Sequence, residues 1–356
     1  MTPFDFRPHT RVLFGPGEFA RLGEAAREHN ATRCLLLADQ AMLDAGYAQE
    51  AIRSLKARRM DVFAFHEFQS QPTVEMVEAA CAYAAPQNVN LLVGLGGGGA
   101  LDFTKAVNVV LSNGGSLRDY RGYGNVPKPL LPMLAVPTSA GAGSEMQTTA
   151  AIADRAAKLT CGDPKIFFRT AILDSNLTLT QSRELTAADG FQAIAQAVET
   201  LISTRRTSIS ECFSREAWRL LDANFERVLA EPKDVDARGA MLLGAHFAGM
   251  AVEYAALGPA HACAQPLVDT YKLTNGVAVA LVLRRALEWM GEPAERIRRV
   301  GFLAEAAEFP GSLSDASIPE HALPRLAEDA AAQWTGRFSS RPFDAQAALE
   351  IYRAAF

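Results

Sequence analysis

The first half of the chain alternates uninterrupted apolar runs with segments of helical spacing. The apolar runs are "TRCLLLAD", "DVFAFHEF", "NLLVGLG", "MLAVPTS" and "TAILDS", and runs of this kind predict strands that are buried on both faces. The segments between them include "YAQEAIRSLKARR", "TVEMVEAACAYAAPQ" and "ALDFTKAVNVVLS", whose apolar residues recur every three or four positions, as on an amphipathic helix. Strands that alternate with helices predict βαβ units and a parallel sheet. We therefore expect an α/β, Rossmann-like parallel-sheet domain over residues 1–178.

After about Thr178 the pattern becomes helical throughout, and no alternating strand pattern recurs. We expect an all-helical domain over residues 179–356, with the join near 175–180. The longest apolar tract, "GAMLLGAHFAGMAVEYAALGPAHA", is interrupted by His246 and Glu253, so it predicts one buried core helix and not a membrane span. Two such domains are expected to leave a cleft between them for a ligand.

Composition narrows the class of partner. A length of 356 residues suits two domains, and a net charge of −5 without any long basic block argues against nucleic acid or an anionic membrane as the partner. A small-molecule substrate is expected instead. The five cysteines form no CxxC pair, which indicates reduced thiols in a cytoplasmic protein. The charged N-terminal stretch "MTPFDFRPHTRVLF" does not have the pattern of a signal peptide.

A glycine run in "GLGGGGALDFTKA" follows a predicted strand and opens a predicted helix. Gly96, Gly97, Gly98 and Gly99 would let the backbone approach a phosphate, and the helix N-terminus would offer N–H donors. The run is not the GxGxxG dinucleotide fingerprint, and a turn needed only for packing is an equally good interpretation.

Polar residues end two other predicted strands. Asp39 follows "LLLA", where a carboxylate can hydrogen-bond an adenosine ribose and repel a 2′-phosphate, or can simply cap the next helix. Thr138 and Ser139 begin the stretch after "MLAVP", where they would contact a ribose or nicotinamide or satisfy loop backbone.

Four motifs in order carry a family resemblance that spans nearly the whole chain. The glycine run with Asp102 and Lys105, "VPTSAGAGSE", "GFQAIAQAVE" and "GPAHACAQPL…NGVAVALVL" resemble the iron-containing (group III) alcohol dehydrogenase family. The resemblance implies the dehydroquinate synthase-like fold, an NAD(P)-linked oxidoreductase and a homodimer, and it adds Asp102 to the cofactor-binding residues. Two hydroxyls that the family usually presents to the dinucleotide are absent, at Gly99 and Ala142.

The same resemblance implies a divalent iron or zinc, bound by an Asp and a His four residues apart and by two further His. On this chain those positions are Gln192, Gln196, His261 and Asn275, and a further family histidine beside the nicotinamide falls on Gln265. Three amides and one imidazole offer no anionic ligand. We therefore expect no iron or zinc and no metal-ligating residues.

The leading interpretation is a metal-independent, NAD-dependent alcohol dehydrogenase or carbonyl reductase, with NADP disfavoured by Asp39. The four amides would stabilise the carbonyl oxygen as hydride arrives, and His261 would donate the proton, with Tyr254 or Tyr271 as alternatives. A vestigial buried histidine is an equally weighted interpretation of His261. A non-catalytic or repurposed nucleotide- or small-molecule-binding protein of the same family is the alternative function. A lyase like dehydroquinate synthase fits least.

Overall fold

The computed structural model describes residues 3–155 and 157–356, which form two compact units. One unit is Arg7–Thr180, and the other is Gln181–Phe356 together with the described residues before Arg7. The predicted α/β class followed by a helical domain is confirmed. The α/β unit has a core of buried apolar side chains that includes Leu36, Val93 and Leu134.

The N-terminal residues depart from the predicted domain of residues 1–178. The ring of Phe6 packs against Phe213 and Tyr254 of the helical unit, with centroids 5.7 and 5.2 Å apart. The chain therefore contributes a short N-terminal stretch to the helical unit before it enters the sheet.

The strands and helices of the α/β unit are short. Its strands are β1 Arg11–Phe14, β2 Arg33–Ala38, β3 Asp61–Phe65, β4 Leu91–Gly96, β5 Gly122–Tyr123, β6 Met133–Pro137, β7 Thr149–Asp154, β8 Ala157–Gly162 and β9 Thr170–Leu173. Its α-helices are α1 Leu22–Arg27, α2 Gln40–Asp44, α3 Tyr47–Lys56, α4 Val74–Ala84 and α5 Gly98–Asn113.

The main sheet has six parallel strands in the order β1-β9-β6-β4-β2-β3. Every residue of the central strands β4 and β6 is buried, as their apolar runs predict. The register pairs Ala38 with Leu95 and Gly96 with Pro137, so β2, β4 and β6 end side by side at one edge. A second sheet has the order β5-β8-β7.

Strands β1, β5, β7 and β8 were not predicted. In β1 only Leu13 is buried, so an apolar run is lacking. Strands β7 and β8 pair antiparallel as a hairpin, and β7 is half-buried and rich in alanine. Their pairing in the folded chain, and not local hydrophobicity, makes them strands.

The second unit consists of helices joined by turns and loops, with no strand among its described residues. Its α-helices are α6 Arg183–Ile202, α7 Ser208–Ala230, α8 Val235–Ala255, α9 Pro259–Tyr271, α10 Asn275–Met290, α11 Ala294–Ala306, α12 Leu323–Ala331 and α13 Ala345–Ala355. Helix α6 is largely buried, and its Phe191 ring packs edge-on against Phe309 at 5.6 Å.

The prediction of one core helix across the long apolar tract is wrong. Helix α8 ends at Ala255, Ala256 takes a positive φ of 62°, and α9 begins after Gly258, which is its N-cap. Within the described residues no single helix is long and apolar enough to span a membrane. Taken together α8 and α9 pass that test by length and composition alone, but they are bent by 108° at the break.

Candidate functional site

The glycine run forms a tight turn between β4 and α5. Gly96 has a φ of +145°, and a Cβ built there would lie 2.8 Å from the Cβ of Ala100, so a side chain does not fit. Gly97 is the N-cap of α5 and has no side chain to cap the helix. The first N–H groups of an α-helix have no partner inside the helix, and they lie at the positive end of its dipole. This turn therefore has the features of an anion site, as a pyrophosphate requires.

The segment after β6 lies against this turn. The N–H of Thr138 donates to the Gly96 carbonyl at 3.0 Å, and Thr138 is buried. A Cβ at Gly97 would lie 3.3 Å from Ser139 Oγ, and a Cβ at Gly98 would lie 3.2 Å from the Cβ of Ala142. Two stretches that the sequence singles out separately thus form one surface.

The loop before α4 limits the space around Gly99. A Cβ at Gly99 would lie 2.1 Å from the Ser70 carbonyl oxygen, which is backbone and cannot rotate away. The serine that the family usually carries at this position is therefore excluded unless the loop at Ser70 moves.

Asp39 follows β2, at the point in the sheet where the chain stops adding strands toward one edge and begins adding them toward the other. Strand β2 pairs with β3 on one side and β4 on the other, and dinucleotides bind at the carboxyl ends of strands at such a point. Asp39 follows β2 beside the glycine turn and caps α2, with Oδ1 accepting from the Met42 N–H at 3.2 Å. Burial raises the pKa of its carboxyl group. The helix-cap interpretation is thus realised, and contact with a ribose stays a prediction.

Asp102 is engaged with the chain's own groups. Its Oδ2 accepts from the Ala151 N–H at 3.1 Å, and its Oδ1 lies 3.3 Å from Nζ of the fully buried Lys105. Lys105 Nζ also donates to the Thr149 carbonyl at 2.7 Å. This pair ties α5 to β7, so the structure gives Asp102 a scaffolding role; its predicted role in binding the cofactor stays a prediction.

In the helical unit, α6 carries two of the candidate amides. Gln192 and Gln196 are one turn apart and share a face of α6. Gln192 is half-buried, whereas Gln196 is only 3% exposed. The Oε1 atom of Gln196 is buried and has no hydrogen-bond partner in the described part of the chain. An unpaired polar atom at this depth costs about 1–3 kcal/mol, which a bound ligand would recover.

His261 lies in the first turn of α9 and contacts the next turn of α6. Its Nδ1 atom is 2.5 Å from Oε2 of Glu199, a carboxylate that is 1% exposed. Its Nε2 atom is buried and finds no partner among the residues that the structure describes. One ring nitrogen is therefore held, and the other is available.

The other two candidate amides, Gln265 and Asn275, are less buried than Gln196. Gln265 lies one turn after His261 on α9, and its Nε2 donates to Asp269 Oδ1 at 2.8 Å, so one of its two N–H groups is already used. Asn275 is exposed and is the first residue of α10. The next residue, Gly276, crosses α6 so closely that a Cβ there would lie 1.8 Å from the Ala188 oxygen. This crossing brings Asn275 to the turn of α6 that precedes Gln192.

The donor chemistry does not fit iron or zinc. Such sites use thiolates, imidazoles and carboxylates, with at least one anionic ligand in the family's own set. Here the available atoms are one imidazole nitrogen and amide oxygens, since both oxygens of Glu199 already accept N–H hydrogen bonds. Over residues 3–155 and 157–356, no group of three or more His, Cys, Asp or Glu side chains is placed to hold a metal ion.

Comparison with known proteins assigns the family. The family model described as iron-containing alcohol dehydrogenase matches residues 8–175, and the model of the C-terminal part of the Fe-containing alcohol dehydrogenase family matches residues 186–301. The chain belongs to the iron-containing alcohol dehydrogenase family, whose members are oxidoreductases.

Two relatives and one solved structure illustrate the match. The NAD-dependent methanol dehydrogenase of Bacillus methanolicus is 29% identical over 329 residues, which are 92% of this chain and 85% of the relative. The choline dehydrogenase of Bacillus subtilis (strain 168) is 30% identical over 303 residues, which are 83% and 75% of the two chains. The crystal structure of a 1,3-propanediol oxidoreductase superimposes with a TM-score of 0.95 at 26% identity and covers 100% of both chains.

Sequence reasoning missed Glu199. The signal was present in "AIAQAVETLI", where a single acidic residue lies in an apolar helical stretch, three positions after Gln196. A carboxylate is rarely buried unless it is paired, so an acid on an otherwise buried helix face predicts a partner. That partner, the first turn of α9, is 60 residues further along the chain and is not visible in the local pattern.

Proposed function

We propose that the protein is an NAD(H)-dependent alcohol dehydrogenase or carbonyl reductase that works without a bound divalent metal. The proposal rests on the hydrogen bonding of the two ring nitrogens of His261. Nδ1 contacts Glu199, and Nε2 is buried without a partner among the described residues. Such an imidazole nitrogen is suited to proton transfer at a substrate oxygen. The amides around it supply neutral donors where the family has metal ligands.

The cofactor proposal rests on the α/β unit. The turn from Gly96 to Gly99 is suited to the pyrophosphate, and Asp39 is suited to the ribose diol at the point where the strand order changes direction. A carboxylate there disfavours a 2′-phosphate, so NAD(H) is proposed over NADP(H). The similarity to an NAD-dependent methanol dehydrogenase supports the same choice. When bound, NAD(H) supplies or takes the hydride.

The helical unit supplies the polar groups for the substrate. As hydride reaches a carbonyl carbon, negative charge develops on the oxygen and must be stabilised by hydrogen-bond donors. Amide N–H groups of Gln192, Gln196 and Asn275 are the proposed donors, and Gln265 has one N–H left for this purpose. In reduction the doubly protonated ring of His261 would give its Nε2 proton to that oxygen and become the neutral Nδ1–H form, and in oxidation the neutral ring would take the hydroxyl proton at Nε2.

Turnover with and without metal tests the proposal. The purified protein is dialysed against a chelator, and its metal content is measured by elemental analysis. NADH consumption is then followed by absorbance with a panel of aldehydes and ketones, before and after zinc or ferrous iron is added. We expect turnover in the chelated protein and no increase with metal.

The other outcomes separate the alternatives. Turnover that requires added metal refutes metal independence and restores the family's mechanism. Tight binding of NADH by calorimetry, with no turnover under either condition, supports the non-catalytic binding protein instead. Loss of turnover in His261→Gln, with unchanged NADH binding, is expected if His261 transfers the proton.

A further inference from the structure

Glu199 is a buried acid whose hydrogen bonds all reach the start of α9. It is 1% exposed, and its Oε1 accepts from the Ala260 N–H at 2.7 Å. Its Oε2 accepts from the N–H groups of Gly258 at 3.1 Å and His261 at 3.4 Å. A Cβ at Gly258 would lie 2.9 Å from Glu199 Oε1, so the absence of a side chain there permits this close approach. The carboxylate therefore caps α9 at the positive end of its dipole.

These contacts determine which ring nitrogen of His261 carries the proton. Both oxygens of Glu199 accept backbone N–H groups, so Glu199 acts as a carboxylate and not as an acid that donates. A carboxylate oxygen 2.5 Å from Nδ1 then requires a proton on Nδ1. In the neutral imidazole the other nitrogen, Nε2, must carry the lone pair.

The side-chain oxygen of Gln196 is a second acceptor in this part of the helical unit. Gln196 lies three residues before Glu199 on the same side of α6, and its Oε1 is an acceptor. Both Gln196 Oε1 and His261 Nε2 are buried, and neither has a partner in the structure as described. A buried acceptor without a partner, such as Nε2, favours a ligand that brings a hydrogen-bond donor, for example the hydroxyl group of an alcohol.

We propose that Glu199 is the positioning residue of this site, and that it holds His261 in the Nδ1–H tautomer so that Nε2 accepts a hydrogen bond from the substrate hydroxyl. Glu199 acts through His261 and does not itself touch the substrate. The catalytic part of this inference rests on the proposed function, whereas the tautomer is a property of the chain alone. The two are tested separately.

The first measurement is the tautomer of His261 in the wild-type protein. Nitrogen-15 labelled histidine distinguishes Nδ1–H from Nε2–H rings by chemical shift, and His261→Gln identifies the resonances. We expect the Nδ1–H form. A wild-type Nε2–H form overturns the proposal, whether or not any variant folds.

The second measurement compares Glu199→Gln with Asp174→Asn. Asp174 is a matched control, because it is 2% exposed and also accepts three backbone N–H groups, from Gly17 at 3.0 Å, Phe19 at 2.9 Å and Asn176 at 3.0 Å. Both variants remove a buried negative charge that caps backbone N–H groups, so both should lower thermal stability. Only Glu199→Gln should change the His261 resonances.

Kinetics then separate positioning from general destabilisation. Loss of a carboxylate that orients a metal-ligating histidine typically lowers activity by about 10-fold to about 100-fold. We expect a decrease of the same size in kcat for Glu199→Gln, with KM for NADH unchanged. Asp174→Asn should keep kcat within about twofold. Equal losses in both variants, or an unchanged kcat in Glu199→Gln, overturn the positioning role. If the wild-type protein shows no turnover, the proposed function fails, and the nitrogen-15 shifts alone decide whether Glu199 sets the tautomer.

Discussion

The crossing of α10 over α6 at Gly276 leads to a sharp prediction about the helical unit. Replacing Gly276 by alanine would place a Cβ 1.8 Å from the Ala188 oxygen, 2.4 Å from its carbonyl carbon and 2.8 Å from its Cα. All three atoms are backbone, so no side-chain rotation relieves the overlap. Ordinary contact begins at 3.4 Å, so α10 must move away by roughly 1.6 Å, which is 3.4 minus 1.8.

Two opposing effects determine how much Gly276→Ala lowers the free energy of unfolding. Overpacking a well-filled interior costs about 1–3 kcal/mol and occasionally more, and a clash between two backbones falls at the upper end. Alanine in place of glycine gains up to about 1 kcal/mol of helix propensity. We therefore expect Gly276→Ala to lower the free energy of unfolding by about 2 kcal/mol. In a domain of this size that corresponds to a drop in Tm of about 4–8 °C.

The same shift should damage the site, because Asn275 starts α10 and would move with it. A misplacement of about 1 Å can reduce activity about 100-fold, so kcat/KM for the carbonyl substrate should fall by that order, with NADH affinity unchanged. Scanning calorimetry and steady-state kinetics measure the two effects. The matched control is Gly301→Ala in α11, where a Cβ meets only the Arg284 side chain at 3.5 Å and should leave Tm equal or slightly raised. A Gly276→Ala protein with the Tm and activity of wild type would refute the close crossing.

Three further predictions concern the rest of the chain. Asp39→Gly should reduce the ratio of the NAD(H) affinity to the NADP(H) affinity in calorimetric titration. Because burial raises the pKa of Asp39, the wild-type ratio should also fall when the pH drops below that pKa and the carboxyl group becomes neutral. Equal affinities of the wild-type protein for the two cofactors would contradict the role of Asp39. Gly99→Ser should weaken NADH binding and lower Tm, since its Cβ meets the Ser70 oxygen at 2.1 Å, and a variant that binds as wild type does would show that the loop yields freely. A disulfide reagent should label the exposed Cys212 first in the native protein, because burial raises the pKa of thiols such as Cys34 to about 12; fast labelling of more than one thiol would contradict this.

The parts of the fold that were predictable are those with a strong local signal. Strands buried on both faces must be apolar throughout, so β2, β4 and β6 are evident from composition alone. The hairpin of β7 and β8 lacks this signal, because β7 is only half-buried and a partner such as Asp102 on α5 is distant along the chain. The break before α9 was missed because Gly258 reads as one more small residue in an apolar tract.

The candidate site shows the same division. Motif spacing places Gln192 and Gln196 on one face of α6 and predicts that the glycine turn precedes a helix, and the structure has both arrangements. Spacing gives no information about partners on other elements. The contact of His261 with Glu199, and the use of Gln265 by Asp269, therefore emerged only from the structure.

The last prediction concerns restoring a metal. In proteins a metal-binding histidine usually donates its other ring N–H to a carboxylate, and His261 has this arrangement with Glu199 although the neighbouring ligand positions are amides. Gln192→Asp, Gln196→His and Asn275→His together supply one anion and two imidazoles on the same face of α6 and at the start of α10. We expect this triple variant to retain about one equivalent of zinc or iron after dialysis, and the wild-type protein to retain far less. Zinc at about 100 times its Kd should stabilise the variant by about 2.7 kcal/mol, which differential scanning detects as a raised Tm. Adding His261→Ala to the triple variant is the control and should abolish both effects. Stoichiometric metal in the wild-type protein would overturn the metal-independent proposal, whereas a metal-free triple variant would mean that α6, α9 and α10 no longer hold these positions at ligand distance.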